Sequence, residues 1–326
     1  MKEEIKDRIG KFLLPRLEDY IFDELSEDYQ KRAGLGNTLK GVPVPIKKTE
    51  IRELSNVKIA RNMAFVMGSD VNFRYRDNYI EYIMKTFGED FIKALIAEGV
   101  QVAAREDYEE ACILFRAVLQ MDEGSTDGLY CYGRACLDAY KDSEDEEYIG
   151  LFKAESLESF EKLVIKAPDF DMGYYYLGYG YLNLGLYLKA DLIWRKFLEL
   201  TDEEDAEKSA MREEVEGWLM KLEDPVVIEK GYNLVLSGRY GEGIEILEPY
   251  VENPGFNTWW PLFYYLGVAY GNLNEVDRAI ECQKEVLKLS PSNTGAMDEL
   301  IKLYRSKGDT EMVDKYLKKK ILIEGH

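Results

Sequence analysis

A chain of 326 residues can bury roughly three quarters of the surface its unfolded form exposes, so both a full core and an extended array are within reach. It carries 42 Lys and Arg against 62 Asp and Glu, and a formal net charge of −20 disfavours nucleic-acid backbones and anionic membranes through like-charge repulsion. Its single histidine is His326 and its four cysteines (Cys112, Cys131, Cys136, Cys282) sit in amphipathic stretches, so no disulfide framework, metal site or histidine general base is expected in the folded body, and a reducing compartment is.

Residues 1–90 balance 16 basic against 16 acidic residues, so the whole deficit, 26 against 46, falls on residues 91–326. MKEEIKDRIG leads into only FLLP before charge returns, and no apolar run reaches the length of a membrane span, which points to a cytoplasmic protein. EEIKDRIGKFLLPRLEDYIFDELSEDYQKR predicts one or two helices broken near Pro15, and GLGNTLKGVPVP a loop with an extended end. That loop lacks the Gly-Lys-Ser/Thr ending and the preceding buried strand of a phosphate-binding loop. SNVKIARNMAFVM and DNYIEYIMKTF predict two more helices. Residues 1–90 thus read as an N-terminal helical region capping the apolar end of the remaining chain.

From residue 91 the chain repeats itself. Tyr174-x-x-Leu177-Gly178-x-x-Tyr181 is followed by Ala190 and Trp194, and Phe263-x-x-Leu266-Gly267-x-x-Tyr270 by Ala279 and Pro291. The same frame finds Gly99 with Tyr108, Ala111 and Phe115, Gly133 with Phe160 and Pro168, Gly231 with Tyr240, Gly243 and Leu247, and a last copy with Leu300, Tyr304, Gly308 and Val313. Equivalent positions 99, 133, 178, 231, 267 and 301 are separated by 34, 45, 53, 36 and 34 residues. The excess of 11 falls on an acidic helix extension or loop at 141–151, and the excess of 19 on a charged helix with Val215, Trp218, Leu219 and Leu222 on one face.

These units resemble the tetratricopeptide repeat, a helix–turn–helix of about 34 residues, over roughly 92–325. The resemblance implies an all-α fold, a right-handed α-solenoid of helix pairs behind the N-terminal helical region. Its expected divisions are 1–90, a first array of three repeats at 91–204, a connecting helix at 205–223 and a second array of three repeats at 224–326. Glycine inside a helix costs about 1 kcal/mol relative to alanine, so its recurrence at Gly178 and Gly267 requires a close helix–helix contact in compensation. Gly185 reads instead as a turn glycine with positive φ.

No catalytic constellation appears. Cys131 and Cys136 lack the tight pairing of zinc ligands, and the acidic runs lack the alternation of a calcium loop, so neither cofactor nor metal is expected. The resemblance implies a concave groove lined by the first helices of successive repeats. Counting round those helices places Tyr130, Arg134, Tyr175, Tyr179, Asn183, Tyr232, Tyr264, Val268 and Asn272 there. Repeat proteins that clamp chaperone C-terminal carboxylates use Lys, Asn and Arg on this groove, and this chain shows Tyr or Val in most of those places. The surface suits a protein or peptide with apolar or aromatic side chains and some basic ones, the tyrosines offering large rigid contact area. The expected role is a non-enzymatic interaction or scaffold module; the alternative is a peptide-sensing regulator in which groove ligand changes the contacts of residues 1–90. Oligomeric state does not follow from these features.

Overall fold

A computed structural model describes residues 5–26, 39–51, 54–141, 143–202 and 205–325. Residues 27–38, which carry most of the glycine-rich loop and the end of the expected N-terminal helices, lie outside the described residues, as does His326. The chain divides into two compact units, Met1–Gly180 with Lys196–Asp202, and Tyr181–Arg195 with Glu203–His326.

The first unit opens with a strap. Asp7 accepts a hydrogen bond from the Gly10 amide at 2.8 Å and starts the single-turn helix α1 (Gly10–Leu13), after which Pro15 begins a 3-10 turn, Leu14–Leu17. One or two helices broken near Pro15 were expected here. Pro15 lacks the N–H that a continuing α-helix needs, and the chain turns instead into strand β1 (Tyr20–Asp23). β1 pairs antiparallel with β2 (Val44–Lys47), Tyr20 opposite Lys47 and Asp23 opposite Val44. The N-terminal region is therefore not wholly helical. Ile9 and Leu13 are fully buried. Around them Asp7 pairs with Arg116 at 2.7 Å, Arg8 with Glu155 and Glu158, Lys11 with Glu147, and Arg16 with Asp107 at 2.8 Å and Glu109 at 3.1 Å.

Helix α2 (Asn56–Ser69), capped by Ser55, buries nearly every residue from Ile59 onward, and its Arg61 pairs with Glu98 at 2.6 Å and Glu110 at 3.1 Å. Helix α3 (Arg76–Phe87) comes next, then two helix pairs: α4 (Glu89–Ala103) with α5 (Tyr108–Met121), and α6 (Thr126–Ala139) with α7 (Glu146–Lys166). One core runs from Ile9 and Leu13 through α2 to Phe115, Tyr132 and Phe152, so the N-terminal elements share the interior of the first pairs. The inserted acidic stretch becomes the beginning of α7, whose first turn is capped by the Asp145 carboxylate. Helices α8 (Asp171–Asn183) and α9 (Tyr187–Leu200) follow.

The second unit is built on α10 (Ala206–Leu236), 31 residues long. A separate connecting helix was expected over 205–223. It is not separate: the rod continues through Pro225, and its buried face, Val215, Leu219, Leu222 and Val226, carries across the proline. That burial offsets a cost of about 3 kcal/mol for proline in a helix interior. Helix α11 (Tyr240–Leu247) is short and ends in a 3-10 turn at Pro249. Then come α12 (Trp260–Asn272) with α13 (Val276–Leu289), and α14 (Thr294–Lys307) with α15 (Thr310–Glu324). Leu247, Leu262, Leu266, Met297 and Leu300 are among the residues at the centre of this unit.

Candidate functional site

In the first unit the expected groove residues largely satisfy one another. Arg134 on α6 donates to the Tyr130 hydroxyl at 3.4 Å and to the hydroxyl of Tyr176, its guanidinium lies 4.5 Å over the Tyr176 ring, and Asp138 stands 3.6 Å away. Tyr176 in turn stacks on Phe160, centroids 5.3 Å apart, and burial pushes its phenol up to about 12 although the Arg134 charge pulls the other way. Tyr175 meets Tyr179 edge-on at 5.2 Å and packs against Phe197 at 5.4 Å. These rings are half-buried and engaged with one another.

The second unit holds an open cleft of about 610 Å³. Its walls come from the start of α9, the last turns of α10, the residues leading into α12, and the start of α14. Tyr232 stacks on Tyr265 with centroids 4.3 Å apart, Trp259 closes edge-on against Tyr232 at 6.1 Å and against Tyr187 at 5.7 Å, and Tyr264 bridges Tyr265 at 5.4 Å and Trp260 at 6.3 Å. Six aromatic rings thus form one connected wall. Glu229 lies at its edge, where one carboxylate oxygen accepts from the Leu188 amide at 2.7 Å and steadies the start of α9. The Tyr232 hydroxyl is buried without a hydrogen-bond partner, and that burial raises its pKa, with the neighbouring Tyr265 and Tyr187 adding to the shift. Leu236 at the cleft is 69% exposed, which leaves apolar surface in water.

Of the nine residues expected in a groove, this cleft brings together Tyr232 and Tyr264. Val268 is half-buried against the core of the second unit, Asn272 turns back to the Val268 carbonyl at 2.9 Å, and Asn183 is exposed.

What holds the walls in place is a set of fixed offsets. Counting from positions 99, 231 and 267, the residue sixteen further on fills the space over the glycine. A Cβ on Gly99 would stand 2.5 Å from Phe115, one on Gly231 2.6 Å from Leu247, and one on Gly267 2.5 Å from Gln283. Gly133 meets Phe160 in the same way at 2.9 Å once the eleven inserted residues are counted. Seven residues after positions 99, 178, 231, 267 and 301 the backbone turns left-handed, at Glu106, Gly185, Gly238, Asn274 and Gly308. In each case the next amide closes on the carbonyl five residues earlier, as in Leu186 to Tyr181 at 3.0 Å and Glu275 to Tyr270 at 2.9 Å, the geometry of a Schellman helix end. These offsets define a repeated helix–turn–helix unit that resembles the tetratricopeptide repeat.

No family model matches the chain, and no curated protein does. Among solved structures it is similar to the tetratricopeptide domain of P58(IPK), at 20% identity over 72% of this chain and 60% of that one, with a TM-score of 0.40. It is also similar to MamA, at 18% identity over 73% and 94% with a TM-score of 0.30, and to YrrB, described as a tetratricopeptide protein with an unusual peptide-binding site, at 16% identity over 67% and 96% with a TM-score of 0.32. TM-scores of this size carry no argument, and the resemblance to tetratricopeptide repeats rests on the offsets within the chain.

The repeat frame located Tyr232 and Tyr264 and missed Tyr187, Trp259, Trp260, Tyr265 and Tyr176. The sequence held a trace of them. Trp259 and Trp260 stand directly before Pro261, where a helix start needs no aromatic pair. In the run 174–176 three successive tyrosines face directions about 100° apart, so with Tyr174 buried the others must leave the core side.

Proposed function

We propose that the chain is a protein-interaction module that holds an extended peptide segment in the aromatic cleft of its second unit. The observation that supports this reading is the connected wall of six rings around an open cleft of about 610 Å³ in an acidic stretch of the chain. Tyrosine and tryptophan give large rigid contact area at low entropic cost, and a partner carrying Lys or Arg beside apolar side chains meets complementary charge. Glu229 offers a nearby carboxylate for such a residue. The first unit's tyrosines engage one another and serve packing in this reading.

The test is selection from a random peptide array by the wild-type chain and by the Tyr264→Ala, Trp260→Ala double variant. The wild type should select segments with apolar or aromatic residues flanked by Lys or Arg, and the variant should lose that selection while keeping its helical circular dichroism. Identical selections by a folded variant would place binding elsewhere.

A further inference from the structure

The cleft is unusual in what its polar atoms can do. The hydroxyls of Tyr187, Tyr264 and Tyr265 and the indole N–H groups of Trp259 and Trp260 make no hydrogen bond among the described residues, and all five side chains line the cleft. Indole N–H is a donor only, and a phenol is readily turned to donate. Of the side-chain acceptors that line the cleft, Glu229 already spends an oxygen on the Leu188 amide and Asn293 spends its oxygen on the Ala296 amide, which leaves the second oxygen of Glu229 and the amide oxygen of Asn233 against the five donors. A wall that is rich in donors and poor in acceptors fits a chain with free carbonyls and few N–H groups of its own. An ordinary extended peptide brings one N–H with every carbonyl, and burying those against aromatic faces without acceptors costs free energy. A proline-rich segment brings carbonyls alone. Its left-handed extended helix has no internal hydrogen bonds, leaves its carbonyls pointing outward, and is stiff before binding, so little entropy is lost on docking. Proline rings also lie flat against aromatic faces such as the stacked pair Tyr232 and Tyr265.

We propose that the segment bound by this cleft is a proline-rich helix of the polyproline II type, with a basic residue at one end to reach the second oxygen of Glu229. This rests on the reading of the cleft as a peptide site and adds the conformation and chemistry of the peptide. Two probes of equal length and charge test it on the full chain: an oligoproline of about ten residues ending in arginine, and a leucine–alanine peptide ending in arginine. Intrinsic fluorescence of Trp259 and Trp260 reports occupancy. The oligoproline should bind about ten-fold tighter or more, as expected when one or two hydrogen bonds of ~1 kcal/mol each separate the two ligands. Tyr264→Phe and Tyr265→Phe, which keep the rings and remove the hydroxyls, should each weaken oligoproline binding several-fold and leave the other peptide unaffected. Equal affinity for the two peptides overturns the proline preference while the peptide site stands. Failure of both peptides to bind or to change the fluorescence overturns the peptide site as well.

Discussion

Gly68 on α2 lies against the backbone of Ile113 on α5, so closely that a Cβ at Gly68 would stand 1.9 Å from the Ile113 carbonyl oxygen. A backbone oxygen cannot move aside as a flexible side chain can. Gly68→Ala must therefore push α2 away from α5, and we expect a loss of about 3 kcal/mol or more in chemical denaturation, at the upper end of overpacking costs. Ile59, Met63 and Phe115 share that core, so the loss should appear as one transition for the N-terminal helices and the first repeat together. Two separate transitions would show that the N-terminal region folds independently.

The left-handed turn residues give an ordered set of outcomes. Glu106 has φ of 65° and Asn274 of 64° where the other turns use glycine. A left-handed backbone costs an ordinary residue about 1–2 kcal/mol, and asparagine less than most. Glu106→Gly should raise the stability of the chain by roughly 0.5–1 kcal/mol after the entropic cost of glycine, and Asn274→Gly by less. Gly185→Ala, at φ of 70°, should lower it by about 1 kcal/mol. A reversal of sign at Glu106 would mean that its side chain makes a compensating contact in solution.

Asp107 has two tasks, pairing with Arg16 and capping α5 by accepting from the Glu110 amide at 3.1 Å. The ion pair is more than a third exposed on both sides and is worth at most about 1 kcal/mol. Asp107→Ala should cost about 1 kcal/mol more than Arg16→Ala, because it removes the cap as well. Raising the salt concentration should shrink the Arg16 effect and leave the difference between the two variants in place. Because Arg16 also pairs with Glu109, the comparison is made in a Glu109→Ala background, where equal effects would show that the cap contributes nothing.

Alkaline pH should weaken the first unit. Burial pushes both Tyr20 and Tyr176 up to about 12, against an ordinary phenol near 10. Folded and unfolded chains both keep these protons below about pH 10, where the stabilisation is complete. Between about pH 10 and 12 the unfolded chain loses them first, and stability falls. Helical circular dichroism and phenolate absorbance should change together in that window. The Tyr20 hydroxyl is buried without a partner, so Tyr20→Phe should move the loss of structure to higher pH at little cost at neutrality. Full ionisation of all tyrosines near pH 10 with helices intact would contradict this.

The repeats at Gly99, Gly231 and Gly267 were legible because each is a local device: a glycine, a residue sixteen places on to cover it, and a left-handed turn between them lie within one helix pair. Ile9, Leu13 and the β1–β2 ribbon were not, since Pro15 and distant partners such as Arg116 decide whether that stretch is helical. The aromatic cleft was half legible. Tyr232 and Tyr264 follow from counting round a helix, but Trp259 meets Tyr232 from outside any helix and Tyr187 meets Trp259 from 72 residues away, which no local period encodes.

The eleven inserted residues of the second repeat do more than lengthen a helix. In the other repeats the second helix begins nine residues after the reference position, at Tyr108, Tyr187, Tyr240, Val276 and Thr310. Allowing for the insertion, α7 would begin at residue 153, yet it begins at Glu146, so its first seven residues overhang the repeat by about 10 Å. Glu147, Tyr148 and Phe152 lie on this overhang, and they receive Lys11 and Phe12 of the strap, with Phe12 edge-on to Tyr148 at 4.8 Å and Tyr148 stacked on Phe152 at 4.2 Å. The strap and the overhang are thus mortise and tenon. Shortening the second repeat to the ordinary period would leave Phe12 with no seat, and removing the strap would leave the Tyr148 and Phe152 rings facing water, so neither can be lost without the other becoming a liability.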